Sequence, residues 1–138
     1  MISIEQLTRE EWATLSEDAH KIAFSEIRPT SMDRVDYALL GVDDDTLQPH
    51  AYVTVRELDS ESVYWQFGGA VGGSPISTVR AYERAIDWSL DRYKRVTTLV
   101  ESGNVRMLKL AMSVGFRIIG CRTFKGTVLC ELLLEKGD

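Results

Sequence analysis

Four glycines, Gly68, Gly69, Gly72 and Gly73, stand in the stretch QFGGAVGGSPISTVR (66–80), immediately ahead of Ser74-Pro75. A glycine-rich turn entering a helix presents unpaired backbone N–H groups and the positive end of the helix dipole, which together make a cradle for a phosphate. Ser74 suits the N-cap and Pro75 the first helical position, where a missing N–H costs least. The N–H groups of Ile76, Ser77 and Thr78, the hydroxyls of Ser77 and Thr78, and the Arg80 guanidinium are then candidate contacts for an anion. The same glycines equally serve a sharp turn with no ligand, Ser74 alone satisfying the helix end. His20 and His50 are far apart and lack a ligand spacing, so no metal site is expected. Cys121 and Cys130 fall in neighbouring predicted strands; a disulfide there is conceivable, and reduced, packed thiols are the expectation for a cytoplasmic chain.

The elements that must position these residues follow from periodicity. ISIEQL alternates as a short strand, and Thr8 with Glu11 three places on forms a capping box for a helix reaching about Phe24. Trp12, Leu15, Ala19 and Ile22 make the apolar face of that helix. After an irregular stretch come DYALLGV, HAYVTVREL and SVYWQFGG, three strands of which the last two form a hairpin around DSES. Val79, Tyr82, Ile86, Leu90 and Tyr93 step at helical spacing through the segment after the glycines. RVTTLVE is a strand, NVRMLKLAMSVGF a helix ending at Gly115, and RIIGCRTF and TVLCELLLE are strands around Lys125-Gly126. This order predicts a mixed sheet flanked by helices, in one domain spanning residues 1–138.

Composition narrows the partners. The 138 residues are 44% apolar and 27% charged, which excludes a disordered or collagenous chain. No apolar run approaches the roughly 18 residues of a membrane span, so a cytoplasmic protein without membrane contact is expected. The net charge of −5 divides into −9 over residues 1–62 and +4 over residues 63–138. The C-terminal half is thus the better host for an anion and the N-terminal half for a cation, unless both are simply solvated faces. No basic tract interleaved with aromatics points to nucleic acid.

The element order, and above all LVESGNVRMLKLAMSVGFRIIG (99–120), resembles the GNAT superfamily of acyl-CoA-dependent N-acetyltransferases, with Val100, Asn104, Gly115, Phe116 and Gly120 at the family's motif positions. SVYWQFGG and the C-terminal half are also similar to small GNAT-like proteins encoded by tailed bacteriophages. The resemblance implies an α/β (α+β) fold with a mixed central sheet of about seven strands and about four helices, split between the fourth and fifth strands. It implies acetyl-CoA, its pantetheine arm pairing with the backbone of the split beside Phe67, Gly68 and Gly69, and its pyrophosphate on the next helix. The side chains of Val63, Trp65 and Phe67 are read as core.

Against the family's pyrophosphate loop, Q/R-x-x-G-x-G/A, Gly72 takes the Gln/Arg position, Gly73 keeps one glycine, Pro75 replaces another and Ser77 fills the last small position. A proline there removes one phosphate donor. Ala111 stands where many members carry a tyrosine acid, leaving that role vacant or filled from elsewhere. Near the split, Glu101 and Tyr64 are the candidate catalytic acid or base, and Gln66, on the same face of the fourth strand as Tyr64 and unable to act as a base, is a candidate to position substrate. Asn104 either contacts the cofactor or caps its helix. The implied reaction is acyl transfer to a primary amine of a protein or small molecule by a monomer or homodimer, the amine drawn in by Asp43 to Asp45, Glu57, Asp59 and Glu61. The alternative is a non-catalytic binding protein of the same fold with a degenerate cofactor site.

Overall fold

The computed structural model describes residues 1–22, 35–70 and 74–137. The elements are β1 (Ile2–Thr8), α1 (Arg9–Ile22), β2 (Tyr37–Asp43), β3 (Pro49–Glu57), β4 (Ser62–Ala70), α2 (Pro75–Leu90), β5 (Arg95–Glu101), α3 (Val105–Ser113), β6 (Arg117–Phe124) and β7 (Thr127–Glu135). Every strand expected from periodicity is present. Three helices stand among the described residues, where the resemblance implies about four. The expected end of the first helix near Phe24 and most of the irregular stretch lie outside them.

Local chemistry sets the helix ends. Glu11 N–H donates to Thr8 Oγ1 and Thr8 N–H to Glu11 Oε1, both at 3.1 Å, closing the capping box that starts α1. Ser74 caps α2 with Pro75 as its first residue, and the Asn104 side chain accepts from Met107 N–H at 3.2 Å to start α3. Gly115 leaves α3 at φ 111°, a conformation that side chains resist. Lys125 and Gly126 both have positive φ, the requirement of a two-residue turn joining β6 to β7.

The seven strands among the described residues form one sheet in the order β1-β2-β3-β4-β5-β7-β6. The first four run as an antiparallel meander. Because α2 crosses over between them, β4 and β5 are parallel. One face buries Leu39, Val53, Val63, Trp65, Val96 and Leu132 against Ala81, Tyr82, Ala85 and Ile86 of α2 and Ala111 of α3. The other buries Ala38, Leu40 and Val42 with Trp12, whose ring stacks on Tyr52 at 4.8 Å. Leu15, expected on the buried face of α1, is 38% exposed, because the contact of α1 with the sheet centres on Trp12. Cys121 and Cys130 are direct cross-strand partners and carry free thiols.

A phenol chain ties β2 to β3 and to the turn after α2: Tyr37 Oη donates to Tyr93 Oη at 3.3 Å, which donates to Glu57 Oε1 at 2.7 Å. Burial, reinforced by Tyr93, pushes the Tyr37 phenol far above its ordinary 10.0. Burial also raises Tyr64 and Tyr82. A folded pKa above the unfolded one adds stability that is complete below the unfolded value and lost as pH climbs past it. Urea unfolding should therefore give a constant midpoint up to about pH 9.5 and a falling one above it; a midpoint that holds to pH 11 would contradict this.

Candidate functional site

The parallel pairing of β4 and β5 is short. It runs through Ser62↔Arg95, Val63↔Val96, Tyr64↔Thr97 and Trp65↔Thr98, and stops there. The last rung is held by Thr98 Oγ1 donating to the Trp65 carbonyl at 2.9 Å. Beyond it β4 stays paired with β3 and β5 with β7, so residues 66–70 and 99–101 turn their facing edges into a wedge. Backbone edges that face each other without pairing are donors and acceptors offered to a third, extended chain.

The split coincides with an irregularity in the β3–β4 register. Thr54 pairs with Phe67 and Val55 with Trp65, leaving Gln66 as an extra residue in β4. Such a bulge bends its strand and raises its twist, here just where β4 leaves β5. It also breaks the alternation, so that Gln66 joins Trp65 on the wall of the cleft instead of sharing the face of Tyr64, as simple period-two counting placed it.

Under the wedge lies a cleft of about 270 Å³. Gln66, Gly68 and Tyr82 line one side, Glu101 and Asn104 the rim, and Met107, Ala111 and Phe116 the apolar floor. Of the site residues expected from sequence, the structure brings together Gln66, Gly68, Glu101 and Asn104 here. Asn104 both caps α3 and lines the cleft. Phe67 and Gly69 lie in the split part of β4, paired with Thr54 and Tyr52. Tyr64 is half-buried and does not line the cleft; burial raises its phenol pKa and the Arg122 guanidinium partly offsets that.

Gly72 and Gly73 lie outside the described residues. The start of α2 beyond them is largely self-satisfied. Ser77 N–H donates to Ser74 Oγ at 3.2 Å, Thr78 N–H to the Ser74 carbonyl at 3.1 Å, and the hydroxyls of Ser77 and Thr78 turn back to that carbonyl at 2.8 and 3.2 Å. Ile76 N–H remains as a candidate anion donor in this turn. Arg80 does not reach the cleft; with Ser74, Ile76 and Ser77 it lines an open depression on the other side of α2, beside Asp43. Of two residues not singled out for the site from sequence, one lines the cleft and the other lies against the start of α2. Tyr82 reaches the cleft, and His50 Nδ1 lies 2.8 Å from Ser77 Oγ, with its Nε2 3.9 Å from Asp43. The register shift between Gly41 and Val42, which leaves His50 without a counterpart on β2, is what swings that ring toward α2.

No family model and no curated protein matches the sequence. Solved structures do match over nearly the whole chain. The spermidine/spermine N-acetyltransferase SpeG from Vibrio cholerae superposes with a TM-score of 0.68 at 13% identity, over 98% of this chain and 95% of that one. The fold is that of the GNAT acetyltransferases. The aminoglycoside acetyltransferase AAC(6')-Ib, solved with coenzyme A and kanamycin, gives 0.71 at 10% identity, over 99% of this chain and 95% of that one. An IAA acetyltransferase from Bacillus cereus gives 0.68 at 13%, over 99% of this chain and all of that one. Among the described residues no group of three or more His, Cys, Asp or Glu could hold a metal, and no helix is long and apolar enough to cross a membrane.

Proposed function

We propose that this chain is an acyl-CoA-dependent N-acyltransferase that transfers an acetyl group to a primary amine. The observation that carries the reading is the wedge between β4 and β5, which begins at the Gln66 bulge above an apolar cleft. Its backbone edges match the amide-bearing, extended pantetheine arm, and the cleft floor suits an acyl group. Acetyl-CoA supplies the activated acyl carbon as a thioester. Glu101 at the rim takes the proton of the incoming amine, directly or through water, and Gln66 positions that amine. A thiol of pKa about 8.5 leaves with little help near neutral pH, so the alanine at position 111 is compatible with turnover. SpeG and AAC(6')-Ib are named for cationic amines. The −9 charge of residues 1–62 would concentrate an acceptor of that kind around this protein.

The test is a calorimetric titration with acetyl-CoA at moderate ionic strength. Saturable binding is expected; no heat at millimolar ligand would defeat the reading and leave a GNAT-fold interaction protein. A Ser77→Asp variant locates the phosphate. Aspartate in the first turn suits the helix dipole, so stability should hold while affinity for acetyl-CoA falls about tenfold from charge repulsion. Unchanged affinity would place the pyrophosphate away from the start of α2.

A further inference from the structure

The Tyr82 hydroxyl is buried and has no hydrogen-bond partner among the described residues. The residue as a whole is only 8% exposed, its ring packed against Trp65 at 6.4 Å. A phenol packed this way would ordinarily find a partner or be replaced by phenylalanine, because an orphaned buried donor costs its full desolvation. The hydroxyl ends beside Gly68 of β4. A Cβ added to Gly68 would stand 2.9 Å from Tyr82 Oη, so the hydroxyl fits here only because residue 68 has no side chain. Both residues line the cleft under the wedge, and Gly68 lies in the part of β4 that has parted from β5. The unpaired hydroxyl thus lies directly against the strand that a ligand entering the split must run beside.

We propose that Tyr82 is a ligand-binding residue of this cleft, its hydroxyl donating a hydrogen bond to a carbonyl oxygen of the acyl thioester that enters the split. The inference rests on the acyltransferase reading and assigns a polar contact to the α2 side of the cleft, opposite Ala111 on α3. Burial pushes the phenol well above its ordinary pKa, so it stays protonated at working pH and acts as a donor. Two carbonyl classes could meet it: the acyl carbonyl itself, or an amide carbonyl of the pantetheine arm.

Tyr82→Phe keeps the ring and removes only the donor. Wild-type and variant proteins are titrated with coenzyme A and with a non-hydrolysable acetyl-CoA ketone analogue, and their thermal unfolding is followed without ligand. The expected result is about five- to tenfold weaker binding with an unchanged or raised Tm, because the free protein loses an unsatisfied group. Weakening of the analogue alone assigns the bond to the acyl carbonyl; equal weakening of both assigns it to the arm. Equal affinities of the two proteins for both probes overturn the inference while leaving the acyltransferase reading intact. A Tm several degrees lower also overturns it, since the hydroxyl would then be paired within the free protein. Wild-type protein that binds neither probe overturns the acyltransferase reading and this inference with it.

Discussion

Deletion of Gln66 is expected to weaken acetyl-CoA binding by at least about 100-fold while leaving a folded protein, because it removes the bulge and not the strand. Trp65 and Gln66 now both line the cleft, and Thr54 and Val55 of β3 are opposed by three residues of β4. Without Gln66, Trp65 would be followed directly by Phe67, and an unbroken antiparallel ladder would keep Val63, Trp65 and Gly68 on the face they occupy now. A single deletion in a regular strand would instead flip every later side chain to the wrong face. The straightened strand would lie against β5 beyond Thr98 and fill the edges that the ligand needs. Calorimetry gives the affinity, and near-ultraviolet circular dichroism reports whether Trp65 keeps its packing. Binding at wild-type strength would mean that the wedge has another origin than the bulge.

The bulge also marks the limit of what the sequence discloses. Strand positions 62–69 follow from β-branched and aromatic residues, but an extra residue is fixed by the pairing partner and leaves no trace in the period of the strand itself. Counting by twos therefore put Gln66 on the face of Tyr64. The helix caps were legible because each is local: Thr8 with Glu11, Ser74 with Pro75, and Asn104 all act within one turn. The wedge between the fourth and fifth strands came from the resemblance, through Val100, Asn104 and the Gly115-Phe116 pair, and the sheet has it. Tyr82 was legible as a buried helix position and no more. Helical spacing says which face a residue occupies, whereas the direction of a phenol oxygen depends on Gly68, fourteen residues earlier on another element. Arg80 shows the converse: its charge is suited to a phosphate, but its place on the helix turns it to the far side of α2.

The position of α2 on the sheet is set by a second close approach, and its loss should produce the largest change in stability. Tyr37, Leu39 and Gly41 of β2 share the face toward α2, and a Cβ on Gly41 would lie 2.7 Å from Ala81 Cβ, 3.5 Å from Ala81 Cα and 3.4 Å from Ile2 Cγ2. Ala81 and Ala85, 2% and 4% exposed, carry the small side chains that let the helix sit this low. A Gly41→Val substitution cannot be absorbed by turning a flexible side chain, because the obstacle is the stem of the helix itself. The helix must rise, and the contacts of Tyr82 and Ile86 loosen with it. Overpacking of this kind costs about 3 kcal/mol, which urea unfolding at pH 7 would record as a lower midpoint with a similar slope. Ala81→Gly in the same chain should return part of the loss, a coupling that a double-mutant cycle isolates. Since α2 carries both Ser74 at its start and Tyr82 on its buried face, the same substitution should reduce acetyl-CoA affinity even in the fraction that remains folded. Full stability in the Gly41→Val protein would show that α2 has another seat on the sheet, and that Gly41 does not set the depth from which Tyr82 reaches the cleft.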